Sequence, residues 1–220
     1  MRKDACLLAV AASLIFLAGC SSSKYFIVKD FEEKYRPNIK TIAFLPVESS
    51  IDSISMKKCG IDSIKIETAK VELRLQIFER MSKDEARYST SFQDAIETDK
   101  LLYEADIKTP HIDSTNIGDL KKILGCDGIL TCTISEFKLK ADEGAQIGMM
   151  FGLVGALAAS GGGGHPRGYA TYSLWDGDSG GLVWQRTIKT TKPNWDQSMD
   201  KVIGLMASNF LARWPFGDKK

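Results

Sequence analysis

NIGDLKKILGCDGILTCTISEFKL, residues 116–139, is the run whose reading decides the fold. Asn116 can cap a helix, because its side-chain oxygen accepts from the first free backbone N–H groups. Ile117, Leu120, Ile123 and Leu124 then share one helical face. Gly125 ends that helix, since glycine takes the left-handed conformation that closes a last turn. Asp127-Gly128 turns the chain, and Ile129 to Leu139 is expected as an apolar strand. A helix handed straight on to an apolar strand is the grammar of an α/β domain.

Working outward, Ile39 to Val47 reads as a buried strand stopped by Pro46, which cannot donate to a ladder. A polar stretch from Glu48 to Ser63 follows. Thr68 to Ser82 is expected to be the first long helix. Val71, Leu73, Leu75 and Ile77 alternate as a strand would, but good helix formers and the flanking Ala69, Phe78 and Met81 favour helix. Arg87 to Phe92 is expected as a short strand, with Tyr88, Thr90 and Phe92 on one face, and Asp94 to Ala105 as a second helix. Glu79, Asp84, Glu85, Asp94, Glu97 and Asp99 read as a solvated face.

Downstream, Gly168 to Trp175 and Leu182 to Thr190 read as strands. They are joined through Asp176-Gly177-Asp178-Ser179-Gly180-Gly181, a hairpin signal. Pro193 breaks the chain. Asp196 to Leu211 forms the last helix, with Met199, Val202, Ile203, Met206, Phe210 and Leu211 recurring every three or four residues. Phe210, Trp214 and Phe216 read as the closure of a core. No internal repeat and no Pro-rich linker interrupts the chain. The expected architecture is α/β: one domain over residues 39–216, with a mixed sheet of about four to five strands covered by helices. A glycine-rich apolar insertion precedes the C-terminal hairpin and final helix.

The N-terminus sets the compartment. Arg2 and Lys3 form a short positive region, and Ala5 to Ala18 carries no charge. That run is too short to span a bilayer and suits a signal-peptide core. It ends in Leu17-Ala18-Gly19-Cys20, which resembles the bacterial lipobox. The resemblance implies that residues 1–19 are removed, that the Cys20 thiol receives a diacylglycerol, and that the new amine is acylated. Several acyl chains anchor firmly, at about 0.8 kcal/mol for each buried CH2. Residues 20–38 are expected to be a lipidated tether, opening with Ser21-Ser22-Ser23-Lys24. Position 21 is Ser, not the Asp that resembles an inner-membrane retention signal, which points to the outer membrane, facing the periplasm.

The whole chain has 29 Lys and Arg against 28 Asp and Glu. Removing residues 1–19 takes away Arg2, Lys3 and Asp4, which leaves 27 of each. A neutral protein offers nucleic acid no net basic face. Cys59, Cys126 and Cys132 remain besides Cys20, so at most one internal disulfide forms. Cys132 lies in an apolar strand and reads as a buried free thiol, while a Cys59–Cys126 bridge is left open. No C-x-x-C pair occurs, and His111 and His165 lack ligand-spaced neighbours, so no metal and no cofactor beyond the lipid on Cys20 is expected.

Three stretches carry a family resemblance: Ile42-Ala43-Phe44-Leu45-Pro46-Val47; Leu124-Gly125-Cys126-Asp127-Gly128-Ile129-Leu130; and Leu174-Trp175-Asp176 followed by Gly181-Leu182-Val183-Trp184. In order, and with the ending Leu211-Ala212-Arg213-Trp214-Pro215-Phe216, they resemble envelope proteins built like the N-terminal domain of TolB, including lipoproteins of the curli-secretion-channel (CsgG) superfamily. The resemblance implies a non-catalytic role: an oligomeric or partner-binding lipoprotein in envelope assembly or secretion. Some relatives insert strands to make a pore. No pair of long alternating apolar and polar segments occurs here to support one.

Two further stretches bear on function. In Ala145 to Gly164, Gly148, Gly152, Ala156 and Ser160 fall at spacings of four, and small residues so spaced let helices approach closely. The segment is expected to self-associate or to contact the membrane; the plainer reading is a buried helix or a loop over the sheet. Gly177-Asp178-Ser179-Gly180-Gly181 spells the string that surrounds the nucleophile of trypsin-like proteases. A hydrolase would need His111 or His165 as base to Ser179, and neither lies in a protease-like context. The simpler reading is that Asp, Ser and Gly are turn residues. The reading is a lipid-anchored, non-catalytic envelope scaffold or accessory factor, a homo-oligomer or the partner of another envelope protein. The alternatives are a serine hydrolase using Ser179 and a tethered ligand- or peptidoglycan-binding module.

Overall fold

The computed structural model describes residues 25–58, 61–108, 117–138, 167–191 and 198–217. Among the described residues, seven strands form one mixed sheet. They are β1 (Tyr25–Ile27), β2 (Thr41–Phe44), β3 (Glu48–Ser49), β4 (Ser91–Phe92), β5 (Gly128–Lys138), β6 (Arg167–Asp176) and β7 (Leu182–Thr191). The helices are α1 (Ser53–Lys58), α2 (Ser63–Lys83), α3 (Ala95–Glu104), α4 (Ile117–Leu124) and α5 (Met199–Leu211). The order across the sheet is β1-β7-β6-β5-β2-β4, with β3 also on β5. Strands β5, β6, β7 and β1 are successively antiparallel, whereas β2, β3 and β4 pair in parallel.

The sheet is larger than the four to five strands expected, because β1 and β3, two or three residues long, join it. Pro46 interrupts one edge without ending it. Ile42 to Phe44 pair with Gly128 to Leu130, and Glu48 and Ser49 then pair with Thr133 and Ile134 of the same β5. The tether expected over residues 20–38 is corrected from Tyr25 onward. Tyr25, Phe26 and Ile27 pair with Arg186, Gln185 and Trp184, and Phe31 is buried at 1% exposure in the core.

Alternation along β2 sends Ile42 and Phe44 to one face and Ala43 and Leu45 to the other. The first face holds the larger core, under α2 and α5, with Leu73, Ile77, Val202, Met206 and Phe210 fully buried. The second face is covered by Leu102 of α3 and Leu120 and Leu124 of α4. Burying both faces explains why β5 opens with two adjacent apolar residues, Ile129 on one face and Leu130 on the other. Trp184, Phe210, Trp214 and Phe216 pack with centroids 5.0–6.4 Å apart and close the larger core. Helix α4 ends at Gly125, which has φ of 63° as its role demands. Its expected cap, Asn116, lies outside the described residues. Helix α2 is longer than expected at both ends and starts on Asp62, whose side chain accepts from the Lys65 N–H.

Candidate functional site

A groove of about 460 Å³ opens where β2 and β3 end, between α2 and α3. Crevices beyond the carboxyl ends of parallel strands are the usual binding position in open α/β sheets. Pro46 creates the opening here, since the chain leaves the ladder there before rejoining it as β3. Val71 and Leu75 of α2 and Ile96 of α3 line the groove, at 60%, 53% and 80% exposure. The Val71–Leu73–Leu75–Ile77 alternation therefore has a cause. Residues two apart on a helix point about 200° apart, so Leu73 and Ile77 enter the core while Val71 and Leu75 form a second apolar face.

Arg74 lies in the groove at 7% exposure. Its Nε donates to the Phe44 carbonyl oxygen at 3.0 Å, and its Nη1 donates to both oxygens of Asp99 at 2.8 and 2.9 Å. Its guanidinium also stacks over the Phe78 ring. Its Nη2 is buried and has no hydrogen-bond partner among the described residues. An unsatisfied buried donor is costly. Beside exposed apolar side chains, that donor suits a ligand or partner segment offering an oxygen acceptor on an apolar body. Asp99, expected on a solvated face and exposed there, is also the anion that balances this buried cation. Asp94 of the same set caps α3, accepting from the Ile96 and Glu97 N–H groups.

Ser179 sits at the exposed tip of the β6–β7 hairpin. Its hydroxyl donates to Asp176 Oδ2 at 2.6 Å, its backbone N–H donates to the same oxygen at 2.9 Å, and its Oγ accepts from the Gly181 N–H. These are the bonds of a tight turn. Gly180 has φ of 65°, and a Cβ on Gly177 would stand 2.7 Å from the Asp127 carbonyl oxygen. Both glycines are thus demanded by the turn. Lys121 pairs with Asp178, and that bond holds its ammonium above the ordinary lysine value. His111 and His165 lie outside the described residues, as do Cys20, Cys59 and the whole of 145–164 with Gly148, Gly152, Ala156 and Ser160.

Cys126 and Cys132 are free, buried thiols, and burial pushes both up. Cys132 faces Tyr172 across the β5–β6 ladder. Among the described residues no helix is long and apolar enough to cross a membrane, and no group of three or more His, Cys, Asp and Glu is placed to hold a metal.

Asp127 is a structural site that its position in the sequence only half disclosed. Its Oδ2 accepts from the backbone N–H groups of Lys40 and Thr41 at 3.0 and 2.9 Å, and its carbonyl accepts from Gly177. The Asp127-Gly128 turn therefore joins the start of β2 to the hairpin tip.

No family model matches the chain, and no curated protein matches it. Similar solved structures include lipoprotein GNA1162 from Neisseria meningitidis, at 12% identity and a TM-score of 0.47 over 79% of this chain and 96% of that one. They also include the PelC dodecamer from Paraburkholderia phytofirmans, at 12% identity and 0.38 over 86% and 96%. A third is the hypothetical protein CT253 from Chlamydia trachomatis, at 11% identity and 0.44 over 79% and 94%.

Proposed function

We propose that this chain is a lipid-anchored, non-catalytic envelope lipoprotein, an oligomeric scaffold or accessory factor in outer-membrane or periplasmic assembly or secretion. The observation that carries the reading is the short distance between the lipobox and the first strand of the sheet. Cys20 of the lipobox lies five residues before Tyr25, the first residue of β1. Five residues reach at most about 18 Å, so a lipid on Cys20 would hold the β1–β7 edge against the bilayer surface. The α2–α3 groove belongs to a different part of the molecule, and its apolar rim and buried Arg74 support a binding role. The small-residue spacing of Gly148, Gly152, Ala156 and Ser160 supports self-association.

The reading is tested by labelling cells with radioactive palmitate and measuring the native mass of the protein extracted in mild detergent. Label on the wild type but not on Cys20→Ala, together with an assembly that falls apart when 145–164 is deleted, is the expected result. An unlabelled protein would overturn the anchor, and a labelled monomer in both forms would overturn the oligomeric scaffold.

A further inference from the structure

A second pocket, of about 300 Å³, lies between the β1 edge and the C-terminal turn. Arg36, Arg87 and Arg213 line it, and among the described residues Glu32 is the one carboxylate in its lining. Glu32 pairs with Arg36 at 3.1 Å. Arg36 also donates to the Gly217 carbonyl, and Arg213 to that of Asn209. Trp214, another lining residue, is 5% exposed, and its indole N–H has no hydrogen-bond partner among the described residues. Next to the pocket, Arg186 lies over the Tyr25 ring, and its buried Nε also has no partner among the described residues. Burial, and then the neighbouring Arg213, make Arg186 a poorer holder of its charge. An adjoining hollow shares Arg87 and Tyr88 and adds Arg80 and Lys83 against Asp84. Six cations and two carboxylates thus share one face of a chain whose net charge is only +1.

We propose that this pocket binds a phosphate group, its oxygens held by the guanidinium groups of Arg36, Arg87 and Arg213. Converging arginines repel one another unless an anion joins them. Guanidinium donors match a phosphate's several oxygens through paired hydrogen bonds, which a single carboxylate inside the pocket does not satisfy. The lining Tyr25 is close in sequence to Cys20, so one source of the phosphate is an anionic phospholipid headgroup; the other is a free phosphate. The proposal stands on the arginine geometry and does not require Cys20 to be lipidated.

The test follows tryptophan fluorescence, since Trp184 and Trp214 line the pocket. The chain, purified in dodecyl maltoside, is titrated with inorganic phosphate, with dihexanoyl-phosphatidylglycerol, and with dihexanoylglycerol, which lacks the phosphate. A saturable change with both phosphate probes, weakened at least tenfold in R87Q/R213Q, is the expected result. A response to the lipid alone assigns the headgroup as source, and a response to inorganic phosphate alone assigns a small ligand. Both side chains are exposed, so the double variant keeps its fold, checked by an unchanged melting temperature. The proposal fails if neither phosphate probe gives a saturable response, if dihexanoylglycerol responds equally, or if the double variant binds as well as wild type.

Discussion

Arg74 and Asp99 are joined by two hydrogen bonds from one guanidinium nitrogen, at 2.8 and 2.9 Å, across the gap between α2 and α3. The same guanidinium holds the Phe44 carbonyl at the end of β2. One buried side chain therefore ties two helices and a strand together around the groove. Asp99 is 51% exposed and Arg74 only 8% at the side chain, so the two ends of the pair are not equivalent.

Asp99→Ala is expected to lower stability by about 1–3 kcal/mol, below the usual loss for a fully buried pair because water partly replaces the carboxylate. Arg74→Met should cost less, since it removes the buried charge while Asp99 regains solvent. Urea unfolding of the two variants measures the difference, and a larger loss for Arg74→Met would contradict this asymmetry.

The hairpin tip makes a separate ordering. Gly177→Ala sets a methyl against the Asp127 carbonyl and should cost about 1–3 kcal/mol. Ser179→Ala removes turn bonds at an exposed site and should cost about 0.5–1.5 kcal/mol. In the non-catalytic reading Ser179→Ala also leaves envelope function intact; a strain that loses function with a stably folded Ser179→Ala protein would revive the hydrolase.

Asp127→Ala strips the acceptor from the Lys40 and Thr41 N–H groups where β2 begins. A loss of about 1–3 kcal/mol is expected, and hydrogen exchange should accelerate at Thr41 before it does in β6. Uniform acceleration across the sheet would show that Asp127 does not act locally.

Cys126 and Cys132 should resist a water-soluble thiol reagent in the folded protein and react once urea unfolds it. Burial favours the protonated thiol in the fold, so as pH rises the unfolded chain loses its protons first. The contribution of both thiols is whole below about pH 8.5, the ordinary thiol value, and declines as pH rises above it. Denaturation from pH 7 to 10 should show stability falling in that window, with a shallower fall in Cys132→Ala; equal slopes would refute the assignment.

Much of this organisation was legible in local sequence. Gly125 closed a helix, Asp94 sat where α3 begins, and the apolar run over Ile39 to Val47 read as the buried strand that β2 is. Those signals act within a turn or two of chain, where the conformational preference of one residue or the period of a few is enough. Strands β1 and β3 were beyond such reading, and β4, expected over Arg87–Phe92, forms only at Ser91–Phe92. Two or three residues carry no period, and each is a strand only because a distant segment supplies its hydrogen bonds: β7 for Tyr25–Ile27, β5 for Glu48–Ser49 and β2 for Ser91–Phe92. The sites followed the same division. Sequence by itself showed that Leu17 to Cys20 resembles a lipobox and that Asp176 to Gly181 is a turn. Tertiary structure alone decided that Asp99 faces Arg74, 25 residues away, and that Arg36, Arg87 and Arg213 line one pocket, because side chains from separate elements meet only after the sheet has assembled between them.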